Sequence, residues 1–187
     1  MSPSSNPFKE LSADGWLAAA ERIESPNHDE RPSGATIDLV VLHAISLPPG
    51  KFGDGSVESF FTNRLDPAGH PYFAAIAARR VSAHFFIRRD GTVVQFVSCL
   101  RRAWHAGISC WRGRECCNDF SLGIEIEGDD YSDFVAAQYR ALEGLLTRLR
   151  SEYPILSIVG HADIAPGRKT DPGPHFDWHA IAALAMR

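Results

Sequence analysis

The sequence lacks several features that would place the protein in other functional classes. None of its apolar runs approaches the ~20 residues that a helix needs to span a bilayer. Its first residues lack the basic and apolar regions of a secretory signal peptide. The net charge of −4 provides no basic excess for nucleic acid. We therefore expect a cytoplasmic protein without a membrane or nucleic-acid partner, and since nothing suggests an assembly, we expect a monomer.

Two common zinc-binding patterns are also missing. The chain has no HExxH motif, which argues against a zincin-type metalloprotease. Its four cysteines, Cys99, Cys110, Cys116 and Cys117, form no CxxC pair, and the last two are poorly placed to bind one zinc together. We expect reduced thiols, as in most cytosolic proteins, rather than a disulfide.

What the sequence does contain is the composition of an ordinary globular protein. Hydrophobic residues make up 44% and charged residues 22% of the 187 positions. This length is typical of one domain with a sizeable core. We predict a single domain over residues 1–187, with its core at about 14–186 and a flexible segment at 1–10.

Apolar patterns predict the strands. Ile37–Leu42 is almost entirely apolar and rich in β-branched residues, which is typical of a strand buried on both faces. Ser121–Glu127 alternates, so that Glu125 and Glu127 share one face with Gly123. That face is either turned to solvent or carries a general base toward a cleft. Further strands are predicted over Ser82–Ile87, Thr92–Val97 and Ile155–Val159, with a hairpin turn at Arg89–Gly91.

Helical periodicity is clearest over Phe134–Glu152, where apolar residues recur at intervals of three and four. Residues 24–36, with an exposed His28, and residues 66–72 are predicted loops. The elements together predict an α/β fold, with a mixed central β-sheet flanked by helices. Shorter helices are predicted over Gly15–Ile23 with Asp14 as N-cap, Val57–Leu65 and Phe176–Met186.

The loop from Val159 to Pro174 has the residue types of a catalytic zinc site. It contains His161, Lys169 and Asp171, and zinc takes imidazole nitrogen and carboxylate oxygen at close to 2 Å. Three prolines stiffen the segment. A solvated surface loop is the alternative, and this stretch alone does not distinguish it from a zinc site.

His43 is the candidate for a third ligand, because it ends the buried strand Ile37–Leu42. A lone histidine there packs in the core more often than it binds a ligand. If this strand is parallel to and beside the strand preceding His161, both imidazoles lie at the same edge of the sheet, where ligands tend to bind. The two strands together therefore predict a zinc site.

Five motifs, in this order, identify a resemblance. They are VVLHAISLPPG, HPYFAAIAARRVSAHFFIRRDGTVVQFV, RAWHAG, CNDFSLGIEIEG and GHADIAPGRKTDPGP. With them the chain resembles zinc N-acetylmuramoyl-L-alanine amidases of the AmpD type, which share their fold with a phage lysozyme and with peptidoglycan recognition proteins. The resemblance implies zinc ligands at His43, His161 and Asp171, a catalytic glutamate at Glu125, and Lys169 near the metal.

The resemblance also implies a substrate and a pathway. Such enzymes cut the amide between the lactyl group and L-alanine in 1,6-anhydro-N-acetylmuramyl peptides during peptidoglycan recycling. In some bacteria their loss raises β-lactamase expression. Tyr72, Arg80, Trp104 and His105 lie in matching motifs and are expected to contact sugar or peptide, with core or surface packing as the alternative. The family commonly has asparagine where this chain has Ala44, which cannot donate a side-chain hydrogen bond to substrate, so this departure concerns one binding contact and not the metal site.

Two other functions remain open at this point. Some peptidoglycan recognition proteins lack the metal site and only bind muropeptide, whereas here the three ligand positions carry His, His and Asp. A zinc peptidase or deacetylase would use the same metal with a different substrate groove. The expected amidase mechanism has Glu125 as general base and Lys169 beside the developing oxyanion.

Overall fold

The computed structural model describes residues 6–184 and has a six-stranded mixed sheet at its centre. The strands are β1 (Glu21–Arg22), β2 (His28–Asp29), β3 (Leu39–Ile45), β4 (Phe85–Ile87), β5 (Val93–Gln95), β6 (Arg102–Ala103), β7 (Cys110–Trp111), β8 (Arg114–Glu115), β9 (Ser121–Glu127) and β10 (Ser157–Gly160). The central order is β1-β5-β4-β9-β3-β10, in which only β4 and β5 are antiparallel neighbours. β2 with β6 and β7 with β8 form two small antiparallel ribbons.

Helices cover both faces of this sheet. They are α1 (Ser56–Phe61), α2 (Pro71–Ile76), α3 (Ala136–Glu152) and α4 (His161–Ile164), with 3-10 turns at Cys117–Asp119 and Trp178–Ile181. The apolar stripe of α3, including Leu145, packs with Ile124 of β9. On the other face, Phe61 of α1 and Phe73 of α2 belong to a cluster with Phe86 of β4. The predicted α/β class is confirmed.

The three strands β9, β3 and β10 position the candidate site. All seven residues of β9 are buried, as expected for a strand between two others. β3 pairs in parallel with both neighbours, which places Leu42 opposite Gly160 and His43 opposite Glu125. The condition for the two imidazoles to share one edge of the sheet, that β3 and β10 are parallel neighbours, is therefore met. His43 lies within β3 rather than beyond its end, because pairing with β9 continues to Ile45.

The predicted helix over Gly15–Ile23 is wrong. Gly15 has a φ of +82°, and Leu17 donates its N–H to the buried side chain of Gln95, 2.7 Å away. Glu21–Arg22 pairs with β5 as strand β1. Contacts with β5 thus take the backbone groups that a helix would have needed.

The prediction of a flexible segment at 1–10 is wrong for Asn6 and Phe8. Phe8 is buried in the cluster that contains α3, and Asn6 donates a side-chain hydrogen bond of 3.0 Å to the carbonyl of Gly144. Residues 6–8 are therefore packed, while residues 1–5 lie outside the described residues.

Three smaller predictions also need correction. Helix α2 begins at Pro71 in a segment predicted as loop, and His70 caps it by accepting the N–H of Tyr72. At the C-terminus only Trp178–Ile181 is helical among the described residues, as a 3-10 turn, and residues 185–187 of the predicted helix lie outside them. His28 is half-buried in β2 instead of exposed.

The structure also bears on two expected absences. All four cysteines are free, in agreement with the predicted reduced thiols. Within residues 6–184, no helix has the length and apolar character needed to cross a membrane.

Candidate metal centre

Three predicted ligands converge where β3 and β10 end. His43 lies near the end of β3, His161 begins α4 directly after β10, and Asp171 lies in the loop that follows α4. His43 Nδ1 is 2.9 Å from His161 Nδ1 and 3.1 Å from Asp171 Oδ2. His161 Nδ1 is 3.0 Å from the same oxygen. Among residues 6–184, this is the one group of three or more side chains arranged to hold a metal ion.

The loop carrying Asp171 can approach β10 because Gly160 has no side chain. A Cβ on Gly160 would lie 2.8 Å from Cδ of Pro172, closer than such atoms pack. Ala162 donates its N–H to the carbonyl of Asp171 over 2.9 Å, and Asp163 accepts the N–H of Gly160 over 2.8 Å. The first contact ties the backbone of Asp171 to α4, and the second ties α4 to the end of β10.

Each histidine has its Nδ1 atom near the other candidate ligands and its Nε2 atom, the outer nitrogen, in contact with a different group. The hydrogen bond at Nε2 determines whether Nδ1 has a free lone pair for a metal ion. His161 Nε2 lies 3.0 Å from the carbonyl oxygen of Ala106, which only accepts, so Nε2 carries the proton and Nδ1 presents a lone pair inward. His43 Nε2 lies 2.9 Å from His105 Nδ1, a contact in which one ring donates and the other accepts. With Nε2 as the donor, His43 also presents its Nδ1 lone pair inward. Two imidazole lone pairs and a carboxylate oxygen at these distances repel one another unless a cation lies among them. The donor set fits zinc.

The ionisation of His43 agrees with metal binding. Burial lowers the pKa of His43 to about 4, so the ring is neutral at pH 7. Neutral imidazole is the form that binds a metal ion, since a protonated ring has no free lone pair on either nitrogen.

Glu125 lies beside His43 on the neighbouring strand. Its side chain is buried, lines the cavity next to the three ligands, and leaves Oε2 without a hydrogen-bond partner. Burial, helped by the negative charge of Asp171, raises the pKa of Glu125 well above that of an ordinary glutamate, while Lys169 acts in the opposite direction. A buried carboxylate with a free oxygen toward a cavity is typical of a general base.

Glu127 shares the face of β9 with Glu125 but has a different environment. Its carboxylate accepts the N–H of Gly53 over 2.6 Å and the N–H of Arg89 over 2.9 Å. Both glutamates are buried, so the solvent-facing alternative for this side of the strand is wrong. Glu127 anchors two loops, whereas Glu125 is free to act on a ligand.

A cavity of 480 Å³ opens beside the three ligands. Lys169 lies on its wall and is exposed, so its ammonium group can reach a bound molecule. Ala44, the departure from the family pattern, also lines the cavity, on the strand that carries His43. At this position of the cavity wall the chain therefore offers only a methyl group.

The predicted substrate-binding residues occupy different places. Tyr72, which is 40% exposed, and Trp104 both line the cavity. His105 lies at its inner end, but its two ring nitrogens contact His43 and Ser121. Arg80 is turned away, with Nη1 3.3 Å from the carbonyl oxygens of Ala77 and Arg79. The substrate contacts of all four stay predictions.

Sequence reasoning missed several residues of the cavity wall. Arg79 lines the cavity in place of its neighbour Arg80. The loop after β9 contributes Asp129, Asp130 and Tyr131, the last of which is 88% exposed. Asp130 is held in place by accepting the hydroxyl of Thr170 over 2.8 Å. These residue types are ordinary for a surface loop, so no sequence signal distinguishes them.

Comparisons with known proteins agree with this site. The sequence model described as N-acetylmuramoyl-L-alanine amidase matches residues 33–174. The 1,6-anhydro-N-acetylmuramyl-L-alanine amidase AmpD of Citrobacter freundii is 53% identical over 173 residues, which cover 91% of this chain and 92% of that protein. Its counterpart in Escherichia coli K12 is 51% identical and covers 92% of this chain and 96% of that protein.

A solved structure gives the same result for the fold. The crystal structure of a selenomethionine AmpD derivative superposes with a TM-score of 0.91 at 52% identity, covering 95% of this chain and 100% of that one. Both the sequence match and the superposition extend over the strands and loops that carry the three candidate ligands. The chain therefore belongs to the N-acetylmuramoyl-L-alanine amidase family.

Proposed function

We propose that the protein is a zinc amidase that hydrolyses the lactyl–L-alanine amide of 1,6-anhydro-N-acetylmuramyl peptides in peptidoglycan recycling. The observation that carries the proposal is the convergence of His43, His161 and Asp171 beside the free carboxylate oxygen of Glu125. The substrate class is supported by the AmpD relatives, whose name states it. Zinc on these three ligands would supply a Lewis acid that lowers the pKa of bound water toward ~7 and polarises a carbonyl.

Glu125 has the environment that proton transfer requires. It accepts a proton from the attacking water as the new C–O bond forms, and the raised pKa favours holding that proton. When the C–N bond breaks, the same carboxyl group returns the proton to the nitrogen of L-alanine. The products are the carboxylate of the anhydro-sugar and a peptide with a free amine.

Lys169 and the cavity wall would position the substrate. Lys169 lines the same cavity as Glu125, and its ammonium group would stabilise the oxyanion of the tetrahedral intermediate. The rings of Tyr72 and Trp104 offer apolar surfaces for the sugar. Arg79, which also lines the cavity, suits a carboxylate of the stem peptide. Position 44 contributes only a methyl group where the family commonly places an amide.

We also propose that the chain acts as a single-domain monomer in the cytoplasm. Four free cysteines suit a reducing compartment, and the resemblance to recycling amidases implies the same location. The net charge of −4 and the small cavity suit a muropeptide better than nucleic acid. Regulation of β-lactamase expression follows as an expectation from the recycling role.

The substrate and the chemistry can be tested together. A relative, AmiD of Escherichia coli, is described in complex with anhydro-N-acetylmuramic acid-L-Ala-D-γ-Glu-L-Lys, and it is 30% identical with a TM-score of 0.59, covering 83% of this chain and 60% of that one. Incubation of the protein with this compound should release the intact tripeptide, detected by mass spectrometry. A chelator should stop the reaction and added zinc should restore it.

Other outcomes would replace the proposal. Binding of the uncut compound without zinc would indicate a muropeptide-binding module. Zinc binding without cleavage would keep the metal centre and indicate a zinc hydrolase with a different substrate.

A further inference from the structure

One short loop contacts the outer nitrogens of both histidine ligands. His105 Nδ1 lies 2.9 Å from His43 Nε2, and the carbonyl oxygen of the next residue, Ala106, lies 3.0 Å from His161 Nε2. The two ligands come from different elements of the fold, β3 and α4. Two consecutive residues thus contact both imidazoles from outside the metal centre.

The loop sets the tautomer as well as the direction of each ring. The carbonyl of Ala106 accepts from His161, and Arg168 donates to the same oxygen over 2.9 Å. When His43 binds a metal ion through Nδ1, its proton is on Nε2, so His105 accepts at Nδ1 and carries its own proton on Nε2, 3.2 Å from the hydroxyl oxygen of Ser121. Both ligand rings therefore keep their Nδ1 lone pairs turned inward.

Asn118 holds this loop in place. Its side-chain oxygen accepts the backbone N–H of His105 over 3.1 Å and the N–H of Ala106 over 2.8 Å. The carbonyl of Asn118 in turn accepts from the largely buried guanidinium of Arg31 over 3.1 Å. Gly123 of β9 leaves room for the ring, since a Cβ there would lie 2.4 Å from Cγ of His105.

We propose that His105 and Asn118 are positioning residues for the metal centre, His105 acting on His43 through its ring and Asn118 acting on both ligands through the 105–106 backbone. The inference rests on the proposed zinc site. Hydrogen bonds to the outer nitrogen of a ligating imidazole typically change metal affinity by roughly 10–100-fold. A substrate contact by His105 is not needed for this role.

Two pairs of variants test the proposal through zinc affinity, measured by competition with a chromophoric chelator. His105→Leu removes the acceptor for His43, whereas His105→Asn keeps an acceptor atom near the position of Nδ1. Asn118→Ala removes the acceptor for the two backbone N–H groups, whereas Asn118→Asp keeps it. We expect the zinc dissociation constant to rise roughly 10–100-fold in His105→Leu and Asn118→Ala, and the Asn and Asp variants to recover most of the loss.

Gln95→Ala is the matched control for a loss of general stability. Gln95 is a buried side-chain amide that also ties loop backbone groups, by accepting from Leu17 and donating to Gly15 over 2.8 Å. The Gln95→Ala substitution should lower the melting temperature of the zinc-free protein without changing its affinity for zinc. If His105→Leu is too unstable to measure, Asn118→Ala tests the same claim from a separate residue.

The possible results separate this inference from the proposed function. Tight zinc binding by the wild type, with no weaker binding in His105→Leu or Asn118→Ala, would overturn the positioning role alone. An equal loss of affinity in Gln95→Ala would also overturn it, because the effect would then follow stability. Absence of zinc binding in the wild type would overturn the proposed function together with this inference.

Discussion

At the scale of single residues, environment assigns the roles within the site. The chain has 23 acidic residues, yet Glu125 combines burial, a free carboxylate oxygen and a place beside the candidate ligands. Lys169 is exposed, as most lysines are, but it lies on the wall of the same cavity. The proposed catalytic roles rest on what each group faces, so substitutions that keep the shape of a side chain and change its charge test them.

Lys169→Met tests the oxyanion role of the ammonium group. The substitution keeps a long, flexible side chain and removes a positive charge from the place where negative charge develops. We expect kcat to fall roughly 10²-fold with little change in KM, because the interaction forms in the transition state. Lys169→Arg is the matched control and should retain part of the rate. An unchanged kcat in Lys169→Met would remove Lys169 from the mechanism.

Arg79→Ala and Arg80→Ala form a second pair, chosen because the structure and the sequence favour different residues. Arg79 lines the cavity, while Arg80 is turned toward backbone carbonyls. We expect Arg79→Ala to raise KM several-fold and Arg80→Ala to leave it near the wild-type value, since an ion pair made by an exposed arginine contributes up to about 1 kcal/mol. Steady-state kinetics on the anhydromuramyl tripeptide measures both. A raised KM in Arg80→Ala with an unchanged KM in Arg79→Ala would instead support Arg80 as the substrate-binding residue, as the sequence predicts.

The sequence predicted the candidate metal ligands of the site but not all residues of the cavity wall. His43, His161 and Asp171 were predictable, because their residue types and the strands before them place three metal-binding groups at one edge of the sheet. Which of two adjacent arginines reaches the cavity depends on how the segment after α2 packs. The exposed Tyr131 on the cavity wall has no motif at all. Such details depend on tertiary contacts and not on local pattern.

At the scale of elements, β9 carries the proposed general base and a loop-anchoring glutamate in alternate positions. Glu125 faces the cavity, and Glu127, two residues on, accepts the N–H groups of Gly53 and Arg89. The first of these loops also continues into the segment that contributes Leu47 and Pro49 to the cavity wall. The strand thus connects the proposed general base to the loop that borders the substrate.

Glu127→Gln should separate the two functions of β9. An amide keeps one acceptor oxygen, so one of the two backbone N–H groups loses its partner in a buried site. We expect the free energy of unfolding to fall by about 1–3 kcal/mol, measured by urea denaturation, while kcat stays close to wild type. A large loss of kcat at normal zinc content would instead make Glu127 part of the catalytic machinery.

Elements with a strong internal pattern were predictable, and those fixed by distant contacts were not. The alternation of Ser121–Glu127 and the apolar stripe of α3 gave the right structures. Gly15–Ile23 has helical spacing, but bonding of Leu17 to Gln95 and pairing of β1 with β5 override it. Long-range hydrogen bonds of this kind leave no local signature.

At the scale of the whole molecule, several histidines are buried in the neutral state. Burial lowers the pKa of His84 and His105 well below the ordinary value of 6.5, and that of His43 to about 4. Below pH 6.5 the unfolded chain therefore binds protons that the folded chain does not. The stability of the zinc-free protein should fall as pH decreases through this range. Glu125, whose pKa is raised, acts in the opposite direction and offsets part of the loss.

His84 isolates this effect, because it lies outside the metal-binding group. Its Nδ1 accepts the N–H of Gly123 over 3.0 Å and its Nε2 donates to the carbonyl of Arg101 over 3.0 Å. One histidine that stays neutral on folding costs at most about 1.4 kcal/mol per pH unit below 6.5. We expect zinc-free wild type to lose about 1 kcal/mol more than His84→Gln between pH 7 and pH 5.5, by urea denaturation. Equal losses would mean that His84 does not contribute.

The central claim is that three ligands hold zinc while Glu125 acts as the general base. Zinc content and hydrolysis of the anhydromuramyl tripeptide, measured on the same samples of wild type and Glu125→Gln, test it most directly, with Asp171→Ala as the metal-deficient control. The account predicts equal zinc in wild type and Glu125→Gln, a rate lower by roughly 10²–10⁴-fold in the variant, and little zinc in Asp171→Ala. A wild-type rate in Glu125→Gln, or a wild type that cleaves the substrate without zinc, would contradict it.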